Sequence, residues 1–142
     1  MTRMFGYCES LTSLKFNKYS MQCVVHTVGM LWNCKNLEAL DLSEVYTLSI
    51  REDRMMFGGC EKLEELDLSK FRLGVGEYMT MQASNMFKNC INLKKVVIGY
   101  VFNNFNSNTK KELFYGCDSL TDDGIKILNK VSWERIRKLD VW

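Results

Sequence analysis

Six cysteines and a single histidine are the side chains of this 142-residue chain best suited to chemistry. A thiolate is a nucleophile and a metal ligand, and Cys23 stands three residues before His26, the one pair from which a base-activated thiol could be built. Nothing beside that pair supplies an obvious orienting group, so a structural or surface role is expected and an enzyme built on Cys23 and His26 is the alternative. Zinc sites pair ligands two to four residues apart. None of the other five, Cys8, Cys34, Cys60, Cys90 and Cys117, is paired in that way. Gly74-Val75-Gly76 is too short for a phosphate-binding loop, and no Lys-Ser or Lys-Thr follows it. Neither a metal nor a cofactor is expected.

The five cysteines mark a period instead. They are separated by 26, 26, 30 and 27 residues, the range that signals a repeat architecture. Four residues before each stand Met4, Met30, Met56, Met86 and Leu113, and three before stand Phe5, Leu31, Phe57, Phe87 and Phe114. Three after come Leu11, Leu37, Leu63, Leu93 and Leu120, and six after come Leu14, Leu40, Leu66 and Val96, with Asp123 the exception. Eight after come Phe16, Leu42, Leu68, Ile98 and Ile125, and eleven after come Tyr19, Val45, Phe71, Val101 and Leu128. With the cysteines, 34 of these 35 positions are apolar, where a chain of 46% hydrophobic residues gives about 16 by chance.

The elements that hold these columns follow from spacing. Leu40-Asp41-Leu42 and Leu66-Asp67-Leu68 alternate as a short strand with one buried face does. The Met-Phe pair fits a helical turn entering a bend. Asn33, Gly59, Asn89 and Gly116, just before the cysteines, tolerate the left-handed backbone that closes it. In the first repeat Tyr7 holds that place after Gly6, so the bend is expected to shift. One such turn cannot bury its own apolar side; stacked turns can, with strand beside strand at about 4.8 Å. The expected fold is α/β: a leucine-rich-repeat solenoid with a curved parallel sheet of five to six short strands and helical turns on the convex side. Its strands are expected near Leu14–Phe16, Leu40–Leu42, Leu66–Leu68, Val96–Ile98 and Leu139–Val141. The ladder cysteines are then small, buried, reduced side chains.

The pattern Met-Phe-x-x-Cys-x-x-Leu-x-x-Leu-Asp-Leu-Ser, as at Met56–Ser69, resembles the BspA-type leucine-rich repeats of bacterial and protist surface proteins. The resemblance covers residues 4–120. It implies a protein-interaction role. After it the sequence is expected to form a cap over 121–142: a helix Thr121–Lys130, with Thr121 as its cap and Ile125, Leu128 and Val131 at helical spacing, then the final strand. The whole of 1–142 reads as one domain, with repeats at about 4–29, 30–55, 56–85, 86–112 and 113–142.

Alternation places the binding candidates on the outer face of the sheet. They are Lys15, Asp41, Glu65, Asp67, Lys95, Lys138, Asp140 and Trp142, with Gly99 among their outward neighbours. The middle of that face is acidic and its ends are basic, which suits a basic segment of a protein partner. The alternative is that Asp and Ser of Leu-Asp-Leu-Ser only solvate the strand. A net charge of +2 argues against nucleic acid, despite Lys126, Lys130, Arg135, Arg137 and Lys138 near the end. No apolar run of about 18 residues spans a bilayer, and the first residues lack the apolar core of a secretion signal. A complete chain is then expected in the cytoplasm, as a compact inhibitor or effector occluding a larger enzyme. A fragment is expected at the cell surface, as part of an adhesin. The first turn has only Met1, Thr2 and Arg3 ahead of it, so its uncapped end is expected to be covered by a partner, by self-association with a second copy of the chain, or by upstream repeats.

Overall fold

The computed structural model describes residues 1–18, 20–21, 23–45, 54–72, 85–102 and 107–131. Cys8, Cys34, Cys60 and Cys90 are each preceded by two left-handed residues four apart, and Cys117 by one. One stands just before the cysteine: Tyr7 (φ 63°), Asn33 (57°), Gly59 (74°), Asn89 (60°) and Gly116 (75°). The other stands five before it: Arg3 (49°), Gly29 (58°), Met55 (52°) and Asn85 (58°). The first bend is therefore not shifted; Tyr7 itself takes the left-handed place. At Gly59 the absence of a Cβ also makes room, since one would overlap the Asn33 side-chain oxygen of the turn before.

These flips sort the amides of each bend into two sets. The amides of Trp32 and Cys34 bond within their own turn, to Gly29 and Leu31 at 3.0 and 3.2 Å. The alternate amides of Gly29, Leu31 and Asn33 reach the carbonyls of Arg54, Met56 and Gly58 in the following turn, at 2.8–2.9 Å. The first turn does the same to the second through Arg3, Phe5 and Tyr7, and the fourth to the fifth through Asn85, Phe87 and Asn89. Tight turns of this kind stand where helical ones were expected. A helix, α1 (Ser107–Leu113), leads into the fifth turn.

The strands run parallel and in chain order. β1 (Ser13–Lys15) pairs with β2 (Ala39–Asp41), Leu14 opposite Leu40. β3 (Glu65–Arg72), β4 (Lys95–Phe102) and β5 (Ile125–Val131) form a second sheet, Leu66 opposite Val96 and Val96 opposite Ile125. The expected single sheet is thus two small ones. Between β2 and β3 the bend bonds carry the stack, joined by the Lys62 amide on the Lys35 carbonyl at 3.2 Å. The Leu-Asp-Leu-Ser segments on the two sides of this seam share one side-chain bond. The Asp41 carboxylate takes the Ser43 amide at 3.0 Å, and Asp67 takes that of Ser69 at 2.8 Å. That diverts an amide from the ladder: β2 ends there, and β3 shifts register between Leu68 and Arg72. Gly99 of β4 lies buried at this irregularity, where a Cβ would overlap the Ser69 carbonyl, and not on the open face.

The C-terminal helix is corrected. Asp122–Gly124 is a single 3-10 turn, and Ile125–Val131 is a strand. The two residues added by that turn explain the Asp123 exception, because Ile125 rather than Asp123 lies opposite Val96, and Ile127 lies opposite Ile98. The open edge of β4 offers paired hydrogen bonds to a β-branched segment, and alternation prevails over helical spacing. Ile125 and Ile127 pack against the core, while Leu128, counted as part of the helical stripe, is 51% exposed. The expected strand Leu139–Val141 lies outside the described residues, as do Tyr19 and Gly74-Val75-Gly76.

The core is the set of columns seen edge on. Met30, Leu31, Leu37, Met56, Phe57, Leu63, Met86, Phe87 and Leu93 are fully buried. Phe57, Phe87 and Phe114 stack face to face at 5.5 and 5.1 Å between ring centres, an offset geometry that adds to burial. The cysteines lie alongside. Each thiol donates back to the turn before it: Cys34 to the Phe5 carbonyl (3.0 Å), Cys60 to Leu31 (3.3 Å), Cys90 to Phe57 (3.1 Å) and Cys117 to Phe87 (3.0 Å). All six cysteines are free; these four are buried, and Cys8, with no described turn before it, is exposed like Cys23. The expectation of a shielded column fails at that first member.

Two outcomes follow. Replacing Leu66 with alanine removes a buried side chain and leaves a cavity, so urea unfolding should show a loss of roughly 2–5 kcal/mol. Burial pushes the Cys34 and Cys60 thiols above their ordinary range. A thiol raised in the folded state contributes its full stability below the unfolded value, near 8.5, and loses it as pH rises beyond that. Unfolding free energy should therefore fall above that pH, by up to about 1.4 kcal/mol per pH unit for Cys60. The slope should be shallower in Cys60→Ala. Equal slopes in the two proteins would contradict this, as would native alkylation of Cys60 as fast as that of Cys8 and Cys23.

Candidate functional site

The outer face of the two sheets carries three rows. By repeat position one runs through Ser13, Ala39, Glu65 and Lys95 and the next through Lys15, Asp41, Asp67, Val97 and Lys126. Strand register joins Ser13 to Ala39 and Lys15 to Asp41 in the first sheet, and Glu65 to Lys95 and Asp67 to Val97 to Lys126 in the second. The third row holds Ser43 and Ser69, beyond that pairing. Of the residues singled out by alternation, Lys15, Glu65, Asp67 and Lys95 are exposed and Asp41 is half-buried. Lys138, Asp140 and Trp142 lie outside the described residues.

Asp41 is the most constrained of them. The Lys15 ammonium lies 2.8 Å from its carboxylate across the β1–β2 pair, and the Ser43 hydroxyl donates to it at 2.6 Å. The Lys15 ammonium first, then Ser43, hold the Asp41 carboxyl well below the usual carboxylate range. Asp41 in turn raises Lys15. Both side chains meet water, so the pair adds little stability. Its effect is to occupy Asp41. Asp67 spends one oxygen on the Ser69 amide, yet neither it nor Glu65 makes an ion pair with a described residue.

Above Glu65 lies a groove of about 440 Å³ lined by Glu38, Lys62, Glu64, Glu65 and Asn92. It straddles the seam between β2 and β3. Glu38 pairs with Lys62 at 3.5 Å and Glu64 with Lys94 at 3.1 Å, all four side chains being more than half exposed. Asn92 donates to the Glu61 carbonyl at 2.7 Å, as Asn36 does to Glu9 at 2.8 Å, so its side chain is fixed by the stack. Glu38 and Glu64 were not among the sequence candidates. They sit one place ahead of the strand, outside its alternation; the signal for them was the Leu-Glu pair repeated at Leu37-Glu38 and Leu63-Glu64.

A second polar surface lies on the bends. The Arg3 guanidinium stands 5.1 Å from the Trp32 ring centre and Tyr7 packs on the same indole at 5.3 Å. Trp32, Asn33, Gly58, Gly59, Glu61 and Lys88 are among the residues lining a smaller groove of about 250 Å³ there. Trp32 leans over Gly58, its Cδ1 standing 3.5 Å from where a glycine-to-alanine Cβ would lie. That is an ordinary contact, so of the two glycines only Gly59 is needed to make room for a side chain of the turn before.

Cys23 and His26, the pair with chemical potential, are both exposed. Among the described residues no three His, Cys, Asp or Glu side chains converge as a metal site would need, and no helix is long and apolar enough to cross a membrane.

No protein of curated function and no solved structure matches the chain. The family model for the BspA type leucine rich repeat region does, in six copies over residues 1–121. That span takes in all five cysteine-marked bends and β1 to β4. A fold of stacked turns with short parallel strands and the match over most of its length lead to one conclusion: the chain belongs to the BspA-type leucine-rich-repeat family, whose fold is a repeat solenoid.

Proposed function

We propose that the chain is a non-enzymatic protein-binding module that takes a basic segment of a partner across the outer face of its sheets. What carries the reading is the charge left over once internal pairs are counted. Glu65 and Asp67 are exposed and unpaired among the described residues, beside a groove lined by Glu38 and Glu64. Lys95 and Lys126, on β4 and β5, turn the face basic further along the stack. A sign change along one face fixes the direction of a partner more than it adds affinity. Lys15 and Asp41 flank this surface; Lys138, Asp140 and Trp142 remain candidates outside the described residues. Repeat solenoids use extended surfaces of this kind. Two settings suit such a module: a compact inhibitor or effector that occludes a larger enzyme, or one stretch of a cell-surface adhesin.

The test uses lysine- and arginine-rich peptides against acidic ones of the same length, with binding followed by fluorescence anisotropy. Basic peptides are expected to bind, more weakly as salt rises. Glu65→Lys should weaken them at least about tenfold, a change of about 1.4 kcal/mol. Its thermal midpoint should stay close to that of the parent, because the side chain is exposed. Asp41 and Asp67 are poorer choices, since each also holds a serine amide. Affinity of the folded Glu65→Lys protein for basic peptides equal to the parent's would remove the site from this face.

A further inference from the structure

We propose that the groove on the bends, between Trp32 and Lys88, takes one pyranose ring of a neutral glycan. It lies in the middle of the stack, walled by the second, third and fourth bends, so neither end of the stack lines it. The position two before the cysteine forms one row across the bends: Gly6, Trp32, Gly58, Lys88 and Tyr115. Gly58 is the gap between two large side chains in that row. Its φ lies outside the left-handed region, and a Cβ there would meet only ordinary contacts at 3.5 Å. Neither backbone nor packing demands glycine, which costs chain entropy on folding. What it leaves is an open floor. Both walls are braced from outside the groove. Arg3 and Tyr7 of the first turn pack on the Trp32 ring, and the Lys88 ammonium lies 5.6 Å from the Tyr115 ring centre.

The polar side chains around this floor take no part in holding the stack. Asn36 and Asn92 each spend their amide on a carbonyl one turn back. The side chains of Asn33, Glu61 and Asn89 make no hydrogen bond or ion pair with a described residue, and Asn33 and Glu61 are half-buried. The lining thus offers an indole on one side, with donors and acceptors on the others. A pyranose has the matching surfaces: a face of C–H groups that an indole covers, and a rim of hydroxyls that both donate and accept, as amides do. An aromatic side chain of a peptide would meet the indole but leave Asn33 and Glu61 without a hydrogen bond. Glu61 and Lys88 bring one charge of each sign, so the lining favours neither an anion nor a cation. At about 250 Å³ the groove is smaller than the roughly 300–1,000 Å³ of drug-sized ligand sites, which suits a single ring.

NMR titration of the isotope-labelled 142-residue protein tests this. The probes are methyl β-glucopyranoside, methyl β-galactopyranoside and N-acetylglucosamine. Glycerol controls for hydroxyls alone, and N-acetyltyrosinamide for an aromatic side chain. At least one sugar is expected to move the Trp32 indole N–H and the Gly58 and Gly59 amides saturably, with both controls at least about tenfold weaker. Gly58→Leu, which fills the floor, should weaken that sugar at least about tenfold while keeping the parent's circular dichroism. The double variant Asn33→Gly with Asn89→Gly serves where Gly58→Leu does not fold. It removes both amides at left-handed positions that glycine adopts freely, and should weaken the sugar at least about fivefold. No saturable shift with any of these sugars would overturn the proposal. So would undiminished sugar affinity in either folded variant. N-acetyltyrosinamide binding as tightly as the best sugar would overturn it too, and give the groove to an aromatic side chain.

Discussion

Alternate amide nitrogens on the bend of a turn have no acceptor within that turn, and the structure depends on where they go. They go to the next turn, at 2.7–3.0 Å for the bonds of Phe5, Tyr7, Leu31, Asn33, Phe57, Gly59, Phe87 and Asn89. A buried amide left without a partner costs on the order of 1–3 kcal/mol, so a turn in isolation would be penalised several times over. The same turn has an apolar side it cannot cover alone. Both deficits are met by one act, stacking, and at one spacing. The bend has to flip twice within five residues to aim the alternate amides forward, which is why left-handed residues occur in pairs at Arg3 and Tyr7, Gly29 and Asn33, Met55 and Gly59, and Asn85 and Asn89.

The choice of cysteine follows from the same geometry. The position is buried, small and faces a carbonyl of the previous turn. Alanine would bury well but leave that carbonyl with fewer donors, and a larger apolar residue would not fit beside the Phe column. A thiol meets both demands weakly. Asparagine at positions 36 and 92 repeats the arrangement with a stronger donor nearer the solvent, each reaching a carbonyl one turn back. These cysteines therefore do structural work that resembles a metal-site or redox pattern only when their spacing is ignored.

Much of this was legible in the sequence, because each stacking demand recurs at every turn. Seven columns located the core, the strand centres of β1 to β4 and the left-handed place before Cys34, Cys60, Cys90 and Cys117. What was not legible lacks a residue signature. The second left-handed place is filled by Arg3, Gly29, Met55 and Asn85, of which only Gly29 and Asn85 are types that favour that backbone. The segment Ile125–Val131 satisfies helical and strand periods at once over seven residues, and only the free edge of β4 decides between them. The seam between β2 and β3 has no counterpart in the sequence, since the Leu-Asp-Leu-Ser segments at 40–43 and 66–69 on its two sides are identical. Glu38 and Glu64 escaped because they stand one residue outside the alternating run.

The sheet face shows why function is harder to read than fold here. Inward positions are held to leucine-like residues by contacts on both sides, so they repeat. Outward positions repeat only where they too serve the backbone, as Asp41 and Asp67 do by holding Ser43 and Ser69. A conspicuous motif such as Leu-Asp-Leu-Ser is therefore weak evidence of recognition, since its aspartate already serves the backbone by holding the serine amide. The informative outward residues are those that break the repeat. Glu65 stands where the neighbouring turns carry Ala39 and Lys95, and Val97 and Lys126 continue a row begun by Lys15, Asp41 and Asp67. No backbone requirement explains these changes of charge and size from turn to turn. They are free to vary without unfolding the stack, which is why the proposed recognition of a basic segment rests on these positions and not on the Leu-Asp-Leu-Ser motif.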